Sequence, residues 1–250
     1  MTVSESWWRD YAKKLAAIDN YAADLMQRYI DTYGVEDTER LIDYAFSLVQ
    51  KYGDASSALA CQCYDALAAY AGQVLPEALP ASVASFGEVA NAIGGALNQS
   101  FGGTLVPGTV SRLVKQASAD TIIRNARRDG AEYAWVPVGD TCAFCIALAA
   151  NGWQRASRGV RNGDHAEHIH ANCDCTFAVR FSEDDDIAGY DPERYADMYY
   201  SADGSTPRER INAMRREFYA ENRERINAQK RDAYARRQEL ESSAAEEVDV

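Results

Sequence analysis

The sequence predicts an α+β protein with a mainly helical N-terminal region, a small metal-clipped α+β unit and a long charged C-terminal helix. Three observations carry this. Apolar residues recur at helical spacing from Trp7 to Val74 and again from Thr109 to Arg128. After Asp129-Gly130 the spacing becomes alternating, as in a strand. Four of the six cysteines and all three histidines then fall within 34 residues, from Cys142 to Cys175. The organisation expected is a helical region over 1–80, a small-residue linker and helix over 81–129, the Cys/His-rich unit over 130–182, and an acidic linker, basic repeat helix and acidic tail over 183–250.

The first helix follows from Trp8, Tyr11, Leu15, Ile18, Ala22, Leu25 and Tyr29, which share one face. Gly34 ends it. Asp37-Thr-Glu-Arg opens a second helix carrying Leu41, Tyr44, Ala45 and Leu48, and Gly53-Asp54 is expected to end that helix and start a third. The third presents Leu59, Cys63, Leu67, Tyr70 and Val74 before Pro76 and Pro80 stop it. Cys61 and Cys63, two apart on a helix, do not share a face, so core packing explains them better than metal binding. Residues 82–104 are rich in small side chains and read as close helix packing or as a flexible connection. Pro107-Gly108 starts the next helix, with Val110, Leu113, Val114, Ala117, Thr121 and Ile122 on one face. Arg124, Arg127 and Arg128 crowd its last turn, where positive charge complements the helix dipole.

Tyr133 to Val138 form the next strand, a short helix runs from the cysteine pair to Gly152, and Trp153-Gln154 starts a second strand. Thr176 to Phe181 alternates and should pair with an earlier strand. Cys142-Ala-Phe-Cys145 places two thiols about one turn apart, and His168-Ile-His170-Ala-Asn-Cys173-Asp-Cys175 adds further soft ligands. Zinc takes four S or N ligands in a tetrahedron, and two chelating pairs joined by a loop supply them. Cys142, Cys145, His170 and Cys175 are the expected set, with Cys173 and His168 in reserve. A sheet this small buries little apolar area alone, which a structural zinc offsets. Buried inert thiols are the plain alternative. A redox pair using Cys142 and Cys145 is another, since a helix N-terminus activates a thiol, although no βαβ repeat follows to complete a thioredoxin-like sheet.

Residues 209–223 align with 224–238 at a shift of fifteen, with eight identical positions. Fifteen residues are close to four helical turns, so equivalent side chains stay near one face. Ile211, Met214, Phe218 and Tyr219 give way to Ile226, Ala233 and Tyr234, flanked by ten basic and five acidic residues between Arg208 and Arg237. This is either a solvated helix laced with ion pairs or an arm that contacts DNA or a partner helix through Arg210, Arg215, Arg216, Arg225, Lys230 and Arg231.

The formal net charge of −12 disfavours a surface devoted to nucleic acid and makes charge a regional argument. A hydrophobic content of 47% over 250 residues allows a proper core. With no apolar leader and no run near the ~20 residues that span a bilayer, the expectation is a soluble chain made in a reducing compartment, with no membrane partner.

The strand, Thr141-Cys-Ala-Phe-Cys145, the helix ending in Asn151-Gly-Trp153, the loop, and His170-Ala-Asn-Cys173-Asp-Cys175-Thr together resemble the phage head morphogenesis family, the Mu-type minor head proteins. The resemblance covers about residues 105–181. It departs at Asp174 and Ala171, where the family often has Arg and Pro. It implies a minor capsid protein of the virion interior, present in the host cytoplasm during assembly. The implied partners are the portal and the capsid or scaffold proteins, with packaged DNA met through the C-terminal helix, and the implied roles are procapsid assembly and DNA packaging or ejection. Trp7 or Trp8 would then offer an exposed aromatic contact to the portal. The resemblance implies no enzyme. The rival is an HNH-type metal-dependent nuclease using Asp164, His165 and Asn172, for which no histidine follows His170 at the required distance. A metal-free adaptor with core thiols is a third reading.

Overall fold

The computed structural model describes residues 2–138, 141–155 and 175–248. In chain order these form β1 (Thr2–Val3), α1 (Glu5–Tyr33), α2 (Thr38–Tyr70), α3 (Phe86–Gln99), α4 (Val106–Asp129), β2 (Glu132–Val136), α5 (Ala143–Ala149), β3 (Gln154–Arg155), β4 (Thr176–Arg180), β5 (Asp186–Ile187), α6 (Pro192–Ser201) and α7 (Pro207–Val248). The protein is thus mainly helical with a few short strands. Two compact units divide it, 1–196 and 197–250.

In the first unit, α1 starts where Ser4 accepts a hydrogen bond from the Trp7 N–H and ends at Gly34. Its core face carries Trp8, Tyr11, Leu15, Ala22 and Met26. Trp8 is buried, as its place on the apolar face predicted, so of the two aromatics that the resemblance offered as exposed it is not one. Asp19 lies on the same buried face. Met26 takes the core position that the periodicity gave to Leu25, and Leu25 and Tyr29 fall at its edge.

Asp37 caps α2 by accepting from the Arg40 N–H. The expected break at Gly53 is absent, because α2 runs unbroken from Thr38 to Tyr70. Gly53 serves close approach instead: a Cβ there would lie 2.5 Å from Cγ1 of Val83. The helix stops at Tyr70, with Gly72 in the left-handed conformation, before the prolines are reached. Tyr70 and Val74, expected on the apolar face, are exposed, whereas Cys63 is buried in the core and Cys61 lies at its edge.

The chain then retraces α2 in an extended strap over 71–85, held by side chains of α2 and α4. Asp65, Asn125 and Thr121 accept from the N–H groups of Ala78, Leu79 and Ala81. Arg128 donates to the carbonyls of Pro76 and Glu77, Asn125 to Leu79 and Arg124 to Pro80. Dipole capping therefore does not account for Arg124 and Arg128, which clamp backbone more than 40 residues away in sequence. Arg128 also makes a two-pronged pair with Asp129, and Asp129 accepts from the Tyr64 hydroxyl at 2.8 Å. These partners hold the Asp129 carboxyl below its usual range, Arg128 foremost, while burial and then Asp129 push Tyr64 up.

The small-residue stretch contains α3, opened by a reciprocal capping box between Ser85 and Glu88 and packed through Val89, Ile93 and Ala96. α4 then passes through the whole unit, and its buried residues include Ser111, Lys115, Ser118, Thr121 and Asn125 beside the expected aliphatics. It closes on left-handed Gly130. β2 lies between β3 and β4, antiparallel to both. From Tyr133 to Val136 every residue of β2 is buried, so helices cover one face and α5 with its neighbours the other. The sheet therefore shares the helical core. β1 pairs in parallel with β5, joining the start of the described chain to the segment after the sheet.

The two uses of glycine in helices give a direct test. Replacing Gly53 with Leu forces a bulky side chain into Val83 and should cost about 1–3 kcal/mol. Gly94→Ala, at a helical position with nothing within 4 Å, should stabilise by up to about 1 kcal/mol. Urea unfolding of the two variants beside wild type measures both.

Candidate functional site

The β2–β4 register places the cysteine-bearing segments near one end of the sheet. Val136, the last residue of β2, pairs with Thr176, the first of β4. Cys175 directly precedes β4, and Cys142 follows β2 after a short connection. Cys142 stands at the N-cap of α5 with extended backbone, and Cys145 lies one turn into the helix. Cys145 and Cys175 are fully buried and Cys142 partly so, all against one core cluster with Trp135 and Phe177. None of them forms a disulfide, and each has a bonding or contact partner.

An aromatic cover lies beside these thiols. Trp153 meets Tyr190 edge-on at 5.7 Å, and Tyr190 stacks toward Tyr195 at 6.3 Å. The Tyr190 hydroxyl donates to the Ala149 carbonyl at the end of α5. Tyr195 bonds to Thr141, and burial is the main cause of its raised pKa. On the outer part of the sheet Glu132 binds across both neighbouring strands, to Arg180 on β4 at 2.7 Å and more loosely to Arg155 on β3 at 3.7 Å. Arg180 lies over the Trp153 ring at 5.0 Å. Sequence reading missed this set because no short motif marks it. Only the strand register shows that Glu132 faces two arginines.

The thiolate chemistry of this donor set suits zinc. Among the described residues, however, no group of three or more His, Cys, Asp or Glu stands ready to hold a metal ion. His168, His170 and Cys173 lie outside the described residues, as do Asp164, His165 and Asn172 of the nuclease reading. Cys142, Cys145 and Cys175 are all described residues, so these three do not by themselves form such a group.

In the second unit α7 begins with a cap that the sequence reading overlooked. Glu209 accepts from the Ser205 and Thr206 N–H groups and from the Ser205 hydroxyl, while Thr206 accepts from the Glu209 N–H. Those bonds, the Ser205 hydroxyl first, hold the Glu209 carboxyl down to about 2. Arg210 donates to the Gly204 carbonyl and lies over the rings of Tyr199 and Tyr200, so it is part of the turn. Arg215, Arg216 and Arg231 are exposed, and Arg225, also exposed, reaches Asn222 at 3.0 Å. The side chain of Lys230 is outside the described set.

A family model described as VG15 protein matches residues 2–202, most of the chain. The protein therefore belongs to this phage-type family of viral proteins, and α7 lies beyond the matched span. No curated protein and no solved structure matches it. No described helix is long and apolar enough to cross a membrane.

One polar hollow away from the cysteines also bears on stability. A groove of about 510 Å³ between α3 and α4 is lined by Glu88, Asn91, Arg112, Gln116 and Asp120, among others. Burial pushes Asp120 up to about 6 from 3.8, Glu88 adds to the rise, and the Gln116 hydrogen bond opposes it. The folded carboxyl thus keeps its proton at a pH where the unfolded one has lost it. Its contribution is fully present below the unfolded value and is lost as pH rises through about 6. Asp120→Asn should remove this slope and raise stability at neutral pH, as read by urea midpoints across that range.

Proposed function

We propose that this chain is a phage minor capsid protein of the head morphogenesis type, acting in procapsid assembly and in DNA packaging or ejection near the portal. Membership of a phage-type family supports the setting. The observation that carries the reading further is the placing of Cys142, Cys145 and Cys175 against one core cluster at the β2–β4 pair, where the resembling family has its Cys-x-x-Cys and closing His-x-x-Cys-x-Cys. The partners in this reading are the portal and the capsid or scaffold proteins, and the protein resides in the virion interior. Partly buried Trp7 and the exposed residues of α7 are the surfaces it offers to them.

In the same reading a structural zinc is held by Cys142, Cys145, His170 and Cys175, with Cys173 and His168 in reserve. Its role is local. The sheet already shares the helical core, so zinc fixes the 142–175 segment rather than compensating for a missing core. Elemental analysis of protein purified without chelator should find one zinc per chain, absent from a Cys142→Ala, Cys145→Ala variant. A metal-free wild type would remove zinc from the proposal.

The basic arm serves DNA in this reading through Arg215, Arg216, Arg225, Lys230 and Arg231. Deleting residues 205–250 should weaken retention on DNA, and the loss should shrink as salt rises because phosphate contacts release counterions. An unchanged salt slope in the deletion variant would show that these residues do not meet phosphate.

A further inference from the structure

A polar belt interrupts the core of the first unit. The two apolar clusters on either side of it share no residue. One takes α1 as far as Leu15, α2 from Ala60 and α4 from Ala119, together with β2 and β4. The other takes α1 from Ala22, α2 as far as Val49, α3, and α4 as far as Val114. Among the described residues, no buried member of either cluster falls on 16–21 of α1, 50–59 of α2 or 115–118 of α4. The buried side chains at those levels are Asp19, Ser56, Ser57, Lys115 and Ser118, with Ala117 the one apolar member.

Asp19 and Lys115 carry opposite charges at 3% exposure each, on two helices that pack together, and both have bonding or electrostatic partners. Ser57 donates to the Ala117 carbonyl and Ser118 to that of Lys115. The Ser56 hydroxyl, fully buried, meets no hydrogen-bonding partner among the described residues. Apolar contact couples all the residues that share it, so a continuous core opens as one body. A polar layer breaks that coupling. Its charges and hydroxyls are costly to hold away from water and regain it on opening, so parting the clusters at the belt costs less than parting either one. Chain topology fits a division there. Residues 22–49 and 86–114 each run as a helix, a turn and a helix whose ends return toward the belt, where Gln50 donates to the Ala84 carbonyl just before α3.

We propose that the belt is a built-in parting plane: the half of the unit built on 22–49 and 86–114 opens as one body while the half that holds the sheet stays folded. In the open state Asp19, Lys115 and Ser56 face water. β2 and β4 lie wholly in the closed half, as do Cys145 and Cys175, so the cysteine-bearing end of the sheet is undisturbed by the opening.

Native-state hydrogen exchange of the full chain in low urea, read peptide by peptide, tests this. In wild type the amides of 22–49 and 86–114 should share one opening, with protection at least about tenfold below that of 60–68, 119–136 and 176–180. Ile122→Val, a mild change inside the closed half, should lower protection of the second set about fivefold and leave the first set unchanged, because Ile122 stays packed when the first set opens. Ser56→Ala removes the unpartnered hydroxyl and should raise protection of both sets by the same factor, about fivefold, because Ser56 is hydrated in both openings. One common protection across the two sets, a first set that responds to Ile122→Val, or a first set indifferent to Ser56→Ala would each overturn the proposal.

Discussion

Packing of α2 on α4 is the constraint on which the rest of the first unit depends. Both core clusters draw on α2 and α4, one with the first half of α1 and the sheet, the other with the second half of α1 and α3. Such a seam demands small residues where backbones approach and bonded partners wherever polar groups are buried. Ser57 meets the second demand by donating across the seam to the Ala117 carbonyl at 3.2 Å. Thr121 and Asn125 meet it on α4 by turning their second bonding capacity outward to the strap. The strap follows from the seam, because its own apolar anchors are few and side chains of α2 and α4 satisfy much of its backbone.

The sheet depends on the same helices. β4 lies against α4 and α2, and β2 follows α4 after a single left-handed turn at Gly130, so the end of α4 sets where the strand order begins. From there register does the positioning. One antiparallel pairing from Glu132↔Arg180 to Val136↔Thr176 sets a charged clasp at one end and brings Cys175 back toward the chain leading to Cys142 at the other. Tyr190 and Tyr195 then close over α5 from a segment held in place by β5 and its partner β1. The cysteines at this end of the sheet owe their position to strands whose sequences contain no cysteine.

Much of this was legible in the sequence, and the exceptions have physical causes. Periodicity located α1, α2 and α4 because each has a continuous apolar face, and alternation located β2 and β4. It failed at Gly53 because glycine has two uses. The rule for helix breaks describes its backbone freedom, while Val83, 30 residues away, exploits its missing Cβ. It placed Trp8 on the buried face of α1, whereas the resemblance alone could not tell adjacent Trp7 and Trp8 apart, and only the rotation of α1 decides which is buried. Arg124 and Arg128 seemed to need no partner because a helix end explains a cation by itself. Their long-range carbonyls belong to a proline-containing stretch that carries no signal of being held.

Legibility of the candidate site follows the same division. The Cys-x-x-Cys spacing is a local property and survives into the fold as an N-cap and a residue one turn later. Which cysteines share one end of the sheet is non-local, since the β2–β4 register brings Cys175 back toward the chain leading to Cys142. The clasp of Glu132 with Arg180 and Arg155 is non-local too, and it ties β2 to both neighbouring strands, at 2.7 Å for the tighter pair. That is why the cysteines are conspicuous in sequence while the residues that position them are not.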